Sequence, residues 1–112
     1  MDNIQFDDFK KIDIRIGTII EVKDFPEAIK PAYQLKVNLG QDIGIKNTSA
    51  QITDLYTKDE LLNKQVIVVV NFPPKQIGPF ISECLITGFY SEGKNVVLAV
   101  PDKKVNNGLR LA

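Results

Sequence analysis

A chain of 112 residues, 44% hydrophobic and 25% charged, holds one core of ordinary size and enough apolar surface to build it without disulfides, so a single domain over residues 1–112 is predicted. Its 14 Lys and Arg balance 14 Asp and Glu, which excludes the large positive field that coats nucleic acid indiscriminately. One cysteine and no histidine exclude an intrachain disulfide and leave too few soft or imidazole ligands for a zinc or iron site, so neither metal nor cofactor is expected.

The balance is uneven along the chain: residues 1–60 hold eight Lys/Arg against eleven Asp/Glu, and residues 61–112 hold six against three. The later half therefore has room for a local basic patch. Asp2, Asp7, Asp8 and Lys10 interrupt the first apolar residues, so neither a signal peptide nor a membrane span is predicted, and the expected location is the cytosol. Asn47-Thr48-Ser49 matches a glycosylation acceptor only formally in such a location. Cys84, inside an apolar run, reads as a small buried hydrophobe.

In chain order, Ile12, Ile14 and Ile16 alternate with Asp13, Arg15 and Gly17, the period of a half-buried strand, and the pattern continues through Val22. Gly17 inside so long a strand predicts a bend or bulge that lets it serve two sides of a curled sheet. Pro26 and Pro31 bound a loop, and Tyr33–Leu39 is a second strand. A tight Gly40-Gln41 turn then leads into a short third strand over Asp42–Lys46. Between Asn47 and Gln65 the alternation stops, and Ile52, Leu55, Tyr56, Leu61 and Leu62 fit one or two short helices. Thr57-Lys58-Asp59-Glu60 has capping-box spacing. The continuous run Val66–Val70 predicts a strand covered on both faces, with Val66, Val68 and Val70 in the core, and Pro73-Pro74 ends it. After a loop over residues 73–79, Phe80–Phe89 and Asn95–Val100 read as two paired strands. Three strands, short helices between strands 3 and 4, then further strands is the order of an all-β fold, a small oligonucleotide-binding (OB-fold) Greek-key barrel.

No nucleophile with a base, paired catalytic carboxylates or phosphate-cradling glycine loop is visible, so no enzyme is predicted. Asp7-Asp8 and Asp59-Glu60 lie near helix starts, where they favour the helix dipole.

Four strings carry a resemblance: Asp13-Ile14-Arg15-Ile16-Gly17-Thr18-Ile19, Ile45-Lys46-Asn47-Thr48-Ser49-Ala50-Gln51-Ile52, Val70-Asn71-Phe72-Pro73-Pro74-Lys75-Gln76-Ile77 and Ser82-Glu83-Cys84-Leu85. Together, from Phe6 to Leu109, the chain resembles the CsaA family of tRNA-binding proteins, similar in turn to the tRNA-binding domains appended to methionyl- and phenylalanyl-tRNA synthetases. The resemblance implies an OB barrel, a symmetric homodimer, tRNA as ligand, and a second role as a chaperone of exported polypeptides.

Asn71, Ser82 and Glu83 are expected to meet at one mouth of the barrel, and in the related domains this Asn and this Ser-Glu pair belong to the ligand-binding face. There Glu83 would accept hydrogen bonds from base amino groups; equally, Asn71 can cap a strand end and Glu83 can be merely solvated. Lys46, Lys75 and Arg15 are candidate phosphate contacts, against the ordinary reading of solvated surface cations. Phe72, Ile77 and Phe80 flank the Pro-Pro loop and form either core or an apolar groove for a base or an extended peptide. Ile4, Phe6 and Phe9 have little core of their own to join and are assigned to a dimer contact.

Overall fold

The alternation that begins at Ile12 becomes strand β1, Ile14–Asp24, in the computed structural model, which describes residues 1–112. Its first half runs antiparallel to β4, Gln65–Val69, with Ile14 opposite Val69 and Thr18 opposite Gln65. Its second half pairs with β2, Tyr33–Asn38, after a register slip between Ile19 and Glu21. An extra residue at such a slip bends the strand and increases its twist, which is how one strand serves both sides of a barrel. Gly17 sits in the bent part because nothing larger fits: a Cβ there would stand 2.5 Å from Val37 Cγ1 and 2.8 Å from Leu39 Cδ2.

Strand β3 is Ile45–Ala50, paired in full with β2. It starts three residues later than the sequence pattern indicates, because the turn is wide. Leu39 N donates to Gly44 O and Gly44 N to Gly40 O, so Asp42 and Ile43 are spent in the turn. The Ile52–Tyr56 stretch is not helical. Ile52 joins the core, while Tyr56 works through its polar atoms: its carbonyl accepts from Tyr33 Oη (2.8 Å) and its Oη from Leu98 N (3.0 Å). The expected capping box is present at the head of α2, Lys58–Leu61, with Glu60 N donating to Thr57 Oγ1 and Thr57 N to Glu60 Oε1. This single turn delivers Leu61 into the core among Ile19, Val37 and Val66.

On β4, Val66, Val68 and the adjacent Val69 are all buried, as a strand covered on both faces requires, and Val70 packs half-buried against the core. The Phe80–Phe89 run is not one strand. It divides into β6 (Phe80–Ser82), β7 (Leu85–Ile86) and β8 (Gly88–Tyr90), each with a different partner. β6 pairs with β5, Lys75–Ile77, inside what the prolines suggest is plain loop. The two-residue Gly78-Pro79 connection has positive φ at Gly78 (56°), the glycine-first pattern of a II′ hairpin turn. β7 joins β4, and β8 pairs with β9, Val96–Leu98.

The main sheet has the order β3-β2-β1-β4-β7. It curls until β3 meets the segment entering β7, and the seam is riveted by few bonds: Thr48 Oγ1 donates to Cys84 O (2.7 Å) and Glu83 N to Asn47 O (2.7 Å). The result is the small all-β, OB-like barrel that the element order indicates. Outside it, α1, Phe6–Lys10, is capped by Gln5 and Asp8. The tail lies along the first half of β1, with Gly108 N bonding to Ile16 O, Ile16 N to Leu109 O and Leu111 N to Ile14 O.

Candidate nucleic-acid interface

The barrel mouth beside the seam holds Lys46, Lys75, Ser82 and Glu83. Lys46 lies opposite buried Val37 on β3, on the same strand face as buried Thr48, at the barrel's end. Ser82 Oγ is 3.2 Å from Thr48 Oγ1, and Ser82 pairs across its hairpin with Lys75. Glu83 grips the edge of β3 twice, through its own N–H and through Oε1, which accepts from Asn47 N (2.9 Å). Its Oε2 is left without a protein donor. Neither Lys46 nor Lys75 forms an ion pair. Two cations thus flank a carboxylate fixed by one oxygen, an arrangement that can hold phosphates and present an acceptor to a base edge.

Asn71 and Arg15 are both engaged by hydrogen bonds within the protein. Asn71 accepts from Asp13 N (3.0 Å) and donates to Lys11 O (2.7 Å), tying the N-terminal segment to the end of β4. Arg15 donates through Nε to Asp13 (2.6 Å) and through a terminal nitrogen to Gly108 O (2.9 Å), which pins the tail. The hydrogen bond to Arg15 is the chief reason the Asp13 carboxyl lies below its ordinary value of 3.8. Arg110, 3.5 Å from the same carboxylate, adds to it. Asp13, Asn47, Thr48 and Arg110 are partners the sequence reading leaves out, since nothing in their local pattern shows which distant strand they face.

Below the mouth runs a groove of about 1010 Å³ between the β5–β6 hairpin, the residue 25–32 loop and the β8–β9 hairpin. Ile77 lines it. Phe80 lies behind its wall, packed on buried Phe25 at 5.3 Å between ring centres, and Phe72 is 54% exposed beside Asn71. Cys84 is also at the groove, where burial pushes its thiol up to about 11. Of the three residues assigned to a dimer contact, Ile4 (71%) and Phe6 (69%) are exposed, while Phe9 is half-buried with its ring 6.1 Å from that of Phe6. No helix is long and apolar enough to cross a membrane.

Residues 14–110, from the first residue of β1 to the tail, match the family described as "Putative tRNA binding domain", and the chain belongs to that family. Among solved structures it is similar to the CsaA chaperone protein of Picrophilus torridus, at 57% identity over 98% of this chain and all of that one, with a TM-score of 0.92. The chaperone CsaA of Bacillus anthracis is 40% identical over 99% of this chain and all of that one, with a TM-score of 0.93. The CsaA resemblance of the four sequence motifs is therefore borne out. Methionine–tRNA ligase of Pyrococcus horikoshii is 40% identical over 99% of this chain, which spans only 15% of that enzyme's length.

Proposed function

We propose that the chain is a single, non-catalytic tRNA-binding module of the cytoplasm that works as a homodimer. The observation that carries this reading is the barrel mouth, where Lys46 and Lys75, free of ion pairs, flank Ser82 and a Glu83 whose second carboxylate oxygen is unclaimed. The lysines neutralise phosphates and Glu83 accepts from base amino groups, so charge supplies affinity and the carboxylate supplies preference. Arg15 and Asn71 hold the tail and the N-terminal segment against β1 and the end of β4. Ile4, just before that segment's helix, and Phe6, its first residue, are exposed in one protomer and are covered by the second copy. The two-fold axis then offers two mouths to one folded RNA, so one tRNA per dimer is expected.

Titration of tRNA by fluorescence anisotropy at several salt concentrations tests the proposal. Lys46→Ala and Lys75→Ala should each weaken binding to all RNAs and lower the slope of log affinity against log salt by roughly one. A double variant that folds and binds tRNA as before would place the site on another face.

A second reading, a chaperone that holds extended polypeptides, is favoured by the apolar groove below the mouth and by the likeness to two proteins described as chaperones. Apolar peptide binding is nearly indifferent to added salt, so the same titration separates the two readings.

A further inference from the structure

The groove under the mouth carries a charge pattern that its apolar floor does not predict. Ile52, Ile86 and Val96 form the floor, and the lysines that line it are Lys30, Lys75 and Lys94. No Asp or Glu lines it, although the whole chain holds as many acids as bases. None of the three lysines is paired with a carboxylate. At one end stands Tyr90, 82% exposed. Its cross-strand partner is Val96, and Gly88, two residues before it, faces buried Leu98. Tyr90 therefore shares the inward face of the β8–β9 hairpin but reaches past the core, with its ring unpartnered at the groove's edge. Lys94 follows at the hairpin turn, held by its N–H bond to Ser91 O.

We infer that this groove, which shares Lys75 and Ser82 with the mouth, extends the RNA-contact site to unpaired nucleotides: a base stacks on Tyr90 while Lys94 and Lys30 track the phosphates beyond the one held at Lys75. This deepens the tRNA reading and rests on it, naming a single-stranded element as what the groove holds and leaving folded backbone to the mouth. Two features separate this occupant from an extended peptide. An uncharged extended peptide needs the apolar floor but gains nothing from three cations, whereas a sugar-phosphate chain is held by them. An exposed ring with an open face is the platform on which any base can stack. A volume of about 1010 Å³ lies at the top of the roughly 300–1,000 Å³ common for ligand clefts, which is room for a nucleotide.

The chain has no tryptophan, so Tyr90→Trp introduces a single tryptophan, selectively excitable over the remaining tyrosines, at the proposed stacking position. An oligouridylate of about eight nucleotides, within the roughly 4–16 that barrels of this kind engage, should quench its emission, and tRNA with a free single-stranded end should compete. Tyr90→Ala should weaken the oligonucleotide by about ten-fold or more, the loss expected for one stacked base, and Lys94→Ala should weaken it in a salt-dependent way. If tRNA binds in the anisotropy assay but neither RNA quenches the Tyr90→Trp variant, the groove inference is overturned and the tRNA reading survives. An apolar peptide that quenches where the oligonucleotide does not overturns it as well. Quenching by oligouridylate that tRNA cannot displace, with no tRNA binding in the anisotropy assay, keeps the groove as a nucleotide site and removes the tRNA reading.

Discussion

Glu83→Gln separates a structural clamp from a base reader within one side chain. The carboxylate spends Oε1 on Asn47 N at 2.9 Å, and a glutamine carbonyl can accept the same bond. Hydrogen bonds to charged groups contribute about 1.5–3 kcal/mol against roughly 0.5–1.5 for neutral ones, so the clamp should weaken by only about 1 kcal/mol. The change at Oε2 is larger in kind, because an acceptor becomes an NH₂ donor aimed at the same place. If Oε2 reads a base amino group, tRNA should lose about 1–3 kcal/mol, or roughly 5- to 150-fold in affinity. A random single strand should bind as well as before or better, since a negative charge has left the neighbourhood of Lys46 and Lys75. The assay is paired anisotropy titrations with tRNA and a random strand of equal length, alongside thermal unfolding. A slightly lower Tm with an unchanged gap between the two RNAs would refute the base-reading role and leave Glu83 as a clamp alone.

Phe6→Asp should convert a dimer to a monomer at micromolar concentration in light scattering, because Phe6 is exposed in the protomer while Phe9 is partly covered; a wild-type chain already monomeric there would refute the dimer. Gly17→Ala pushes a methyl against two fully buried side chains at 2.5 and 2.8 Å, and overpacking of this kind costs about 1–3 kcal/mol. Thermal melts should show a clear drop, and an unchanged Tm would mean the barrel yields at its bend. Cys84, at about 11 when folded against an ordinary 9.0, favours folding fully below pH 9 and loses that contribution as pH rises toward 11. Cys84→Ala should flatten the alkaline limb of stability in urea titrations, and an identical limb would count against burial of the thiol. Asp13 is shifted downward, so its contribution is complete above its ordinary 3.8 and fades as pH falls below it. Asp13→Asn should therefore make acid unfolding less steep, and an equally steep acid limb would show that the Arg15 pair does not stabilise the fold.

Much of the barrel is legible in the sequence because long alternation and β-branched runs report burial directly. β1, β2, β4 and the Thr57–Glu60 box all follow from local pattern. What local pattern does not carry is a change of partner. Thr87 N donates to Ile67 O while Ala99 N donates to Thr87 O, so the chain leaves one sheet for another in mid-run, and its alternation hides the break. The β5–β6 hairpin is hidden for the opposite reason: three-residue strands beside Pro73-Pro74 have no period to read. At the site, Ser82 and Glu83 meet the edge of β3 beside Lys46 only through the barrel's closure, Lys75 joins them through the hidden β5–β6 hairpin, and Arg15's partner Gly108 and Asn71's partners Lys11 and Asp13 lie far away in sequence. Tyr90 and Lys94 are readable in principle, as an aromatic outside any core position next to a turn lysine.

The tail that lies along β1 gives the last residues a protective task. A strand edge with free N–H and C=O groups is a template for any other extended chain, and without the tail the first half of β1 would be such an edge, rich in isoleucine. The tail takes up Ile14 and Ile16 and leaves outermost a short segment carrying Arg110, so a chain trimmed before Gly108 should be more prone to aggregate than to lose its core.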